Sequence, residues 1–364
     1  MEIVKLFSGS YSIILQILAV VFGLGLLIFV HELGHFVMAK IYKVRVLKFA
    51  FGFGPELFGF SKGETRYAVC ALPLGGMVEM AGEYTTEKGA PEPKPGDYLY
   101  CPWYKRMMIA FMGPMMNYIL AIFLFCALFS IWGLTVISEE SFIGNLAPGM
   151  SAQRAGMQEG DKIISIDNVE IKSWEDIMDN MQDKADKQIH ISVLRNEEKL
   201  DFTFVADKNP ITDVGMLGIQ PKITMEKTGI FRSAYLSVQM VWLQTAVTVS
   251  YLWDKLVKWE KPELAGPVGV IQIMAKSADA GLSSYIRLIA IISVALGLFN
   301  LFPIPLVDGG MIVLFIAEGI TRKKISMKVV QIYNTIGVGI ILLILIFATY
   351  SDLIRLGIGK IFSN

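Results

Sequence analysis

His31-Glu32-Leu33-Gly34-His35 follows directly on twenty uncharged, mostly apolar residues, Tyr11 to Val30, near the start of a chain of 364 residues. About 20 residues are enough for a helix to cross the hydrocarbon core of a bilayer. On a helix, positions i and i+4 share a face, so the imidazoles of His31 and His35 can hold one metal ion between them. Glu32 sits about 100° round the helix from His31 and about 60° from His35, within reach of a water at that metal, where a general base belongs. No charge occurs between Lys5 and Glu32, and the apolar run continues through Phe36-Val37-Met38-Ala39 to Lys40. The motif is therefore expected inside the membrane, where ionisable groups are costly and mark function.

The composition agrees with a membrane protein that also carries a soluble part: 54% hydrophobic and 18% charged residues, with a mean hydropathy of +0.52. Thirty-three Lys/Arg balance thirty-three Asp/Glu, so nothing points to nucleic acid. Cys70, Cys101 and Cys126 are odd in number and lack CxxC spacing, which argues against a disulfide framework or a cysteine zinc site. The N-terminal run has no small-residue cleavage site and leads into the His-Glu pair, so it is expected to stay attached.

Four uncharged stretches are long enough to span: Tyr11–Val30 extending to Ala39, Met107–Leu134, Leu288–Val307 and Val329–Tyr350. Ala234–Trp253 is apolar but carries Ser237, Gln239, Gln244, Thr245, Thr248 and Ser250, which suits a helix lying in the interface. The Lys40–Arg106 loop holds ten Lys/Arg, and Arg322-Lys323-Lys324 is also basic. Four spans place both segments in the cytoplasm; five do not. Both termini and the segment after Leu134 then face outward. The expected division is a membrane half over 1–135, a soluble domain over 136–224, an interfacial linker over 225–285, and a closing membrane part over 286–364.

Within the cytoplasmic loop, Tyr67 to Met80 is β-prone with Pro73 and Gly75-Gly76 at its bend, consistent with a hairpin over about 65–82 dipping towards the membrane. Thr85 to Asp97 is polar and Pro-rich and reads as mobile. Gly113-Pro114-Met115-Met116-Asn117 opens the second span, and its Asn117 is expected to hydrogen-bond between helices. Pro148-Gly149-Met150-Ser151-Ala152-Gln153-Arg154-Ala155-Gly156-Met157, Gly160-Asp161-Lys162-Ile163-Ile164-Ser165-Ile166 and Gly215-Met216-Leu217-Gly218-Ile219 resemble a bacterial PDZ domain. In such a domain an extended peptide adds to an unpaired strand edge, expected here on the first strand. His190 falls in this part and is expected at its surface.

A catalytic zinc takes three protein ligands and one open position. With His190 outside the membrane, the third ligand should be a carboxylate. Asn300-Leu301-Phe302-Pro303-Ile304-Pro305-Leu306-Val307-Asp308-Gly309-Gly310 interrupts the third span with two prolines and ends in Asp-Gly-Gly. The prolines break the helix, and the glycines are expected to let the backbone turn so that Asp308 points at the metal.

With these motifs in hand, the chain resembles the site-2 protease family of intramembrane zinc metalloproteases, in the bacterial regulator-of-sigma-E branch with a single PDZ domain. The resemblance implies a polytopic α-helical membrane protein with four transmembrane helices, a membrane-reentrant β-hairpin and an inserted periplasmic PDZ domain. One Zn2+ per chain would be held by His31, His35 and Asp308, with Glu32 activating water. Asn300, Gly75, Gly76, Met77, Pro303 and Pro305 would contact the substrate. Gly266-Pro267-Val268-Gly269 resembles a further family signature. Partners would be membrane lipid, a peptide or C-terminus at the PDZ groove, and single-span proteins already trimmed outside, such as anti-sigma factors or remnant signal peptides. The site would sit near the cytoplasmic side of the bacterial inner membrane. Two other readings of the same residues are a transporter with an intramembrane His/Glu/Asp site and a scaffold presenting the PDZ domain. The first would more often show internal repeats, and the second should have lost Glu32 or a ligand.

Overall fold

The computed structural model describes residues 2–83, 93–138, 140–208, 214–260 and 266–355, and the stretch expected to be mobile, Thr85 to Asp97, lies mostly outside them. The chain folds as two compact units. One comprises Met1–Ser130 with Gly229–Asn364, and the other comprises Ile131–Thr228.

The first unit begins with α1 (Glu2–Ile41), followed by the long strands β1 (Val46–Lys62) and β2 (Thr65–Met80) and by α2 (Trp103–Trp132). Instead of closing on itself as a hairpin, β2 shares its pairing with β1. Val46–Phe51 lies between two segments of it, opposite Gly76–Met80 on one side and Arg66–Val69 on the other, while Phe58–Lys62 folds back along Thr65–Val69. Sequence pattern announces a turn at Pro73–Gly76 but does not reveal which distant strand takes up the freed backbone groups. The sheet is fastened to α1 on both sides of the His-Glu motif. Phe36 stacks on Phe49 at 4.6 Å, and Phe29 packs on Phe49 and Phe51 at 5.4 and 5.5 Å.

In the second unit, β3 (Leu134–Ile137), β4 (Ile143–Leu146), α3 (Ser151–Arg154), β5 (Lys162–Ile166), β6 (Val169–Glu170), α4 (Trp174–Met181), β7 (Gln188–Arg195), β8 (Glu198–Val205), β9 (Asp207–Lys208), β10 (Gly215–Met216), β11 (Ile219–Pro221) and β12 (Ile223–Glu226) follow in order. The main sheet runs β6-β5-β7-β8. Alternation along β7 buries Ile189, Ile191 and Val193 against Ile163 and Ile166. His190 faces the other way and meets Thr203 Oγ1 at 3.1 Å, as a surface histidine should. A capping box, Ser173 with Asp176, starts α4. β4 pairs with β11, and on its other side Ile143 N donates to Asp161 O. The apolar groove runs instead between α4 and Val214–Gln220, a cavity of about 370 Å³ walled by Trp174, Ile177, Met178 and Met181. Among the described residues, β11 carries no ladder on the edge away from β4.

The chain then continues with α5 (Ile230–Val257), α6 (Pro267–Asp279), α7 (Leu282–Leu301), α8 (Asp308–Thr321) and α9 (Met327–Arg355). Among the described residues, four helical segments are long and apolar enough to cross a membrane: Ile13–Ile41, Trp103–Trp132, Leu282–Leu301 and Lys328–Asp352. Helix α5 is not among them. The third span stops at Leu301, earlier than its composition suggests, because Pro303 and Pro305 cannot extend the helix. Helix α8, which follows Val307, was not foreseen as an element.

Helix α9 is fastened at its far end by Asp352, which is buried and accepts from the backbone N–H groups of Gly266 at 3.1 Å and Gly269 at 2.8 Å. These are unpaired donors at the start of α6, the usual place for a capping acceptor. A Cβ on Gly266 would meet Ala348 O at 2.6 Å, so the two helices touch along their backbones. Asp352→Ala is expected to destabilise this joint by about 1–3 kcal/mol, the cost of leaving buried donors unmet. A lowered thermal midpoint in detergent would show it; an unchanged midpoint would mean that water replaces the carboxylate.

Candidate metal centre

His31 and His35 project from the same face of α1, and their Nε2 atoms lie 3.2 Å apart. Asp308 is the first residue of α8 and brings Oδ2 to 3.0 Å from His31 Nε2 and Oδ1 to 3.4 Å from His35 Nε2. Zinc bonds of about 2.0–2.1 Å at tetrahedral angles separate donor atoms by about 3.3 Å, and one donor atom from each of the three residues lies within 4.8 Å of the others, close enough to surround a single ion. Asp308 Oδ2 is buried and has no hydrogen-bond partner, as expected of an oxygen set aside for a metal. Among the described residues, His31, His35 and Asp308 form the one group of this kind able to hold a metal ion.

Each candidate ligand is held by the fold around it. His35 Nδ1 lies 2.8 Å from Ile109 O, a carbonyl of α2, so the ring donates there and keeps the Nε2 lone pair free. His31 Nδ1 lies 3.2 Å from the side-chain amide of Asn117, also on α2. Close approach of α1 and α2 depends on two glycines. A Cβ on Gly34 would meet Met112 O at 2.3 Å, and one on Gly113 would meet His35 Cε1 at 2.3 Å. Small residues at helix contacts in membranes are a recognised signal, yet their facing partners cannot be read from one sequence.

The break before Asp308 works differently from the sequence-based expectation. Leu306 takes the left-handed conformation at φ 77°, whereas Gly309 and Gly310 are already helical within α8. Their role is contact: a Cβ on Gly309 would meet Phe302 O at 2.2 Å, and one on Gly310 would meet Ile304 O at 2.1 Å. The first turn of α8 therefore packs directly on the irregular turn segment that precedes it. Tyr333 of α9 donates to Gly310 O at 3.2 Å.

A cavity of about 460 Å³ opens over the three ligands and is also lined by Glu32, Gly76, Met77, Asn300, Glu83 and Tyr98. Glu32 rests against the bend of β2, where a Cβ on Gly76 would come within 3.0 Å of its Cγ. Gly75, Pro303 and Pro305 are not in this lining. Gly75 turns the chain at φ +123° under the Phe53 ring, Pro303 is exposed, and Pro305 is buried beneath Gly337 of α9.

Glu83, beyond the end of β2, was not singled out from the sequence. Burial pushes its carboxyl up to about 7. Because burial penalises the charged form, the neutral carboxyl is the stabilising one. Its contribution is complete below about pH 4.5 and is lost as pH rises through about 7. Glu83→Gln is expected to flatten the fall in thermal midpoint between pH 5.5 and 8.5. An equally steep fall in the variant would assign it to another group.

The chain matches the description "peptidase family M50" over residues 19–344. It is 34% identical over 344 residues to a protein of Clostridium acetobutylicum, covering 94% of this chain and 98% of that one. To a protein of Campylobacter jejuni it is 30% identical over 366 residues, covering 97% of each. Both relatives carry provisional names as zinc metalloproteases. A PDZ domain of an SdrC-like protein from Listeria monocytogenes is similar over 24% of this chain and 93% of that one, at 17% identity and a TM-score of 0.21. The chain belongs to peptidase family M50, the site-2 protease family, and is a multi-pass membrane metallopeptidase. The transporter and scaffold readings fall with that assignment.

Proposed function

We propose that the protein is a zinc-dependent endopeptidase that cleaves transmembrane segments of single-span proteins already shortened on the outer side. The observation that carries this reading is the convergence of His31 Nε2, His35 Nε2 and the Asp308 carboxylate, whose Oδ2 lies 3.0 Å from the first and Oδ1 3.4 Å from the second, at a cavity shared with Glu32. His31, His35 and Asp308 hold the ion. What zinc supplies there is Lewis acidity towards the scissile carbonyl and the attacking water. Glu32 takes a proton from that water and delivers it to the leaving nitrogen, so one carboxylate serves both halves of the reaction. A helical substrate hides its carbonyls in its own hydrogen bonds and must unwind before the attack. Gly76 and Met77, at the bend of β2, give an extended substrate a strand to lie beside, and Asn300 offers an amide to its backbone. Gly75, Pro303 and Pro305 serve by shaping these walls.

Under this reading the soluble unit is a PDZ domain on the outer side of the bacterial inner membrane, with its groove between α4 and Val214–Gln220. It excludes uncut ectodomains, and the groove accepts a peptide C-terminus. The test uses the full chain purified in detergent, with metal content measured beside cleavage of a tagged single-span protein with and without its ectodomain. About one zinc per chain, and cleavage of the shortened form abolished by a chelator and restored by zinc, is the expected result. Cleavage indifferent to the chelator would overturn the proposal.

A further inference from the structure

We infer that Asn117 is the positioning residue for His31: its side-chain oxygen accepts from His31 Nδ1–H and so keeps the Nε2 lone pair turned towards the metal. The inference rests on the metal-site reading above and adds a role for a residue outside the ligand set.

A neutral imidazole has one N–H and one lone pair. His31 Nε2 faces His35 Nε2 and Asp308 Oδ2 at 3.2 and 3.0 Å, so its lone pair belongs to the ion and the proton belongs on Nδ1. That N–H needs an acceptor, because His31 is buried and Asn117 is wholly so. The group at hand is the Asn117 amide, 3.2 Å away. With its nitrogen towards the ring, two N–H donors would confront each other. The Asn117 oxygen is also a buried acceptor with no other partner. A half-turn of the amide exchanges two ends of equal size and converts the conflict into an N–H···O hydrogen bond.

The position of Asn117 is itself fixed from a third helix. Ser293 Oγ, on α7 and fully buried, donates to the Asn117 backbone carbonyl at 2.8 Å. The other histidine has the same arrangement in a form that no substitution can remove, since His35 donates to the backbone carbonyl of Ile109. Asn117 is thus the one acceptor behind the two histidines that a side-chain exchange can delete.

The test measures zinc affinity of the full-length protein in detergent by competition with a chromophoric chelator, for the unmodified chain, Asn117→Leu and Asn117→Asp. Asn117→Leu keeps the size but removes the acceptor and is expected to bind zinc about 10–100-fold more weakly. Asn117→Asp keeps an acceptor at the same place and is expected to stay within a few-fold of the unmodified protein. The cobalt form of Asn117→Leu should show an altered absorption band while its metal-free thermal midpoint stays close to that of the unmodified chain. Equal zinc affinity in Asn117→Leu overturns the inference, as does an equal loss in both variants, which would assign the effect to packing. An unmodified protein that takes up no zinc overturns the metal-site reading and this inference together.

Discussion

Glu32→Gln is expected to retain zinc at the level of the unmodified protein while cleavage of a shortened single-span substrate falls by about 10²–10⁴-fold, the usual worth of a positioned base. The substitution removes a proton acceptor and almost nothing else. Gln has the shape of Glu, and the Glu32 Cγ lies where a Cβ on Gly76 would approach to 3.0 Å, so a side chain of the same outline keeps the bend of β2 in place. None of the three ligand atoms belongs to residue 32. Activity and metal content should therefore separate cleanly. A variant that cleaves at the unmodified rate would remove Glu32 from the mechanism, and one that loses zinc as well would show that residue 32 shapes the site and not only its chemistry.

Gly113→Ala is expected to lower zinc affinity by about 100-fold or more, with activity lost in proportion and the fold retained. The added methyl would stand 2.3 Å from His35 Cε1 and 2.4 Å from His35 Nε2, well inside contact distance, and 3.0 Å from His31 Cε1. Something must move. The ring can swing more readily than α2 can retreat, because Gly34 already holds that helix with its missing side chain 2.3 Å from Met112 O. The His35 ring would then leave Ile109 O and its place near Asp308, and a displacement of about 1 Å at a reacting centre costs on the order of 10²-fold. Zinc titration beside a thermal melt of the metal-free protein checks both halves. Unchanged affinity would mean that α1 and α2 can part by the width of a methyl.

The parts of this site legible in the sequence were those fixed by local rules. Two histidines four residues apart share a helix face wherever the helix goes, and two prolines before Asp308 end a helix in any environment. What escaped depends on residues far apart in the chain. The amide of Asn117 could be assigned to a helix contact, but not to His31 as its partner. Gly309 and Gly310 invited a reading as flexible turns, whereas the turn falls on Leu306 and the glycines are places where backbone meets backbone. The bend at Pro73–Gly76 was visible, while the pairing of Gly76–Met80 with Val46–Phe51 was not, because strand partners are chosen by tertiary contact. In the second unit the same limit hid β11 as the partner of β4.

Two of the three metal donors lie on α1, and the third arrives only with α8, after nearly all other elements have been made. An ion bound by two neutral imidazoles alone is held weakly, since the carboxylate supplies both the third bond and the compensating charge. On the proposed reading, the amino-terminal half therefore enters the membrane during synthesis carrying Glu32, His31 and His35 but no complete metal site. Hydrolytic power comes only once α8 has docked beside α1. On the same reading, a chain that ends before Asp308 lacks the one carboxylate of the three candidate donors and is expected to have no hydrolytic activity.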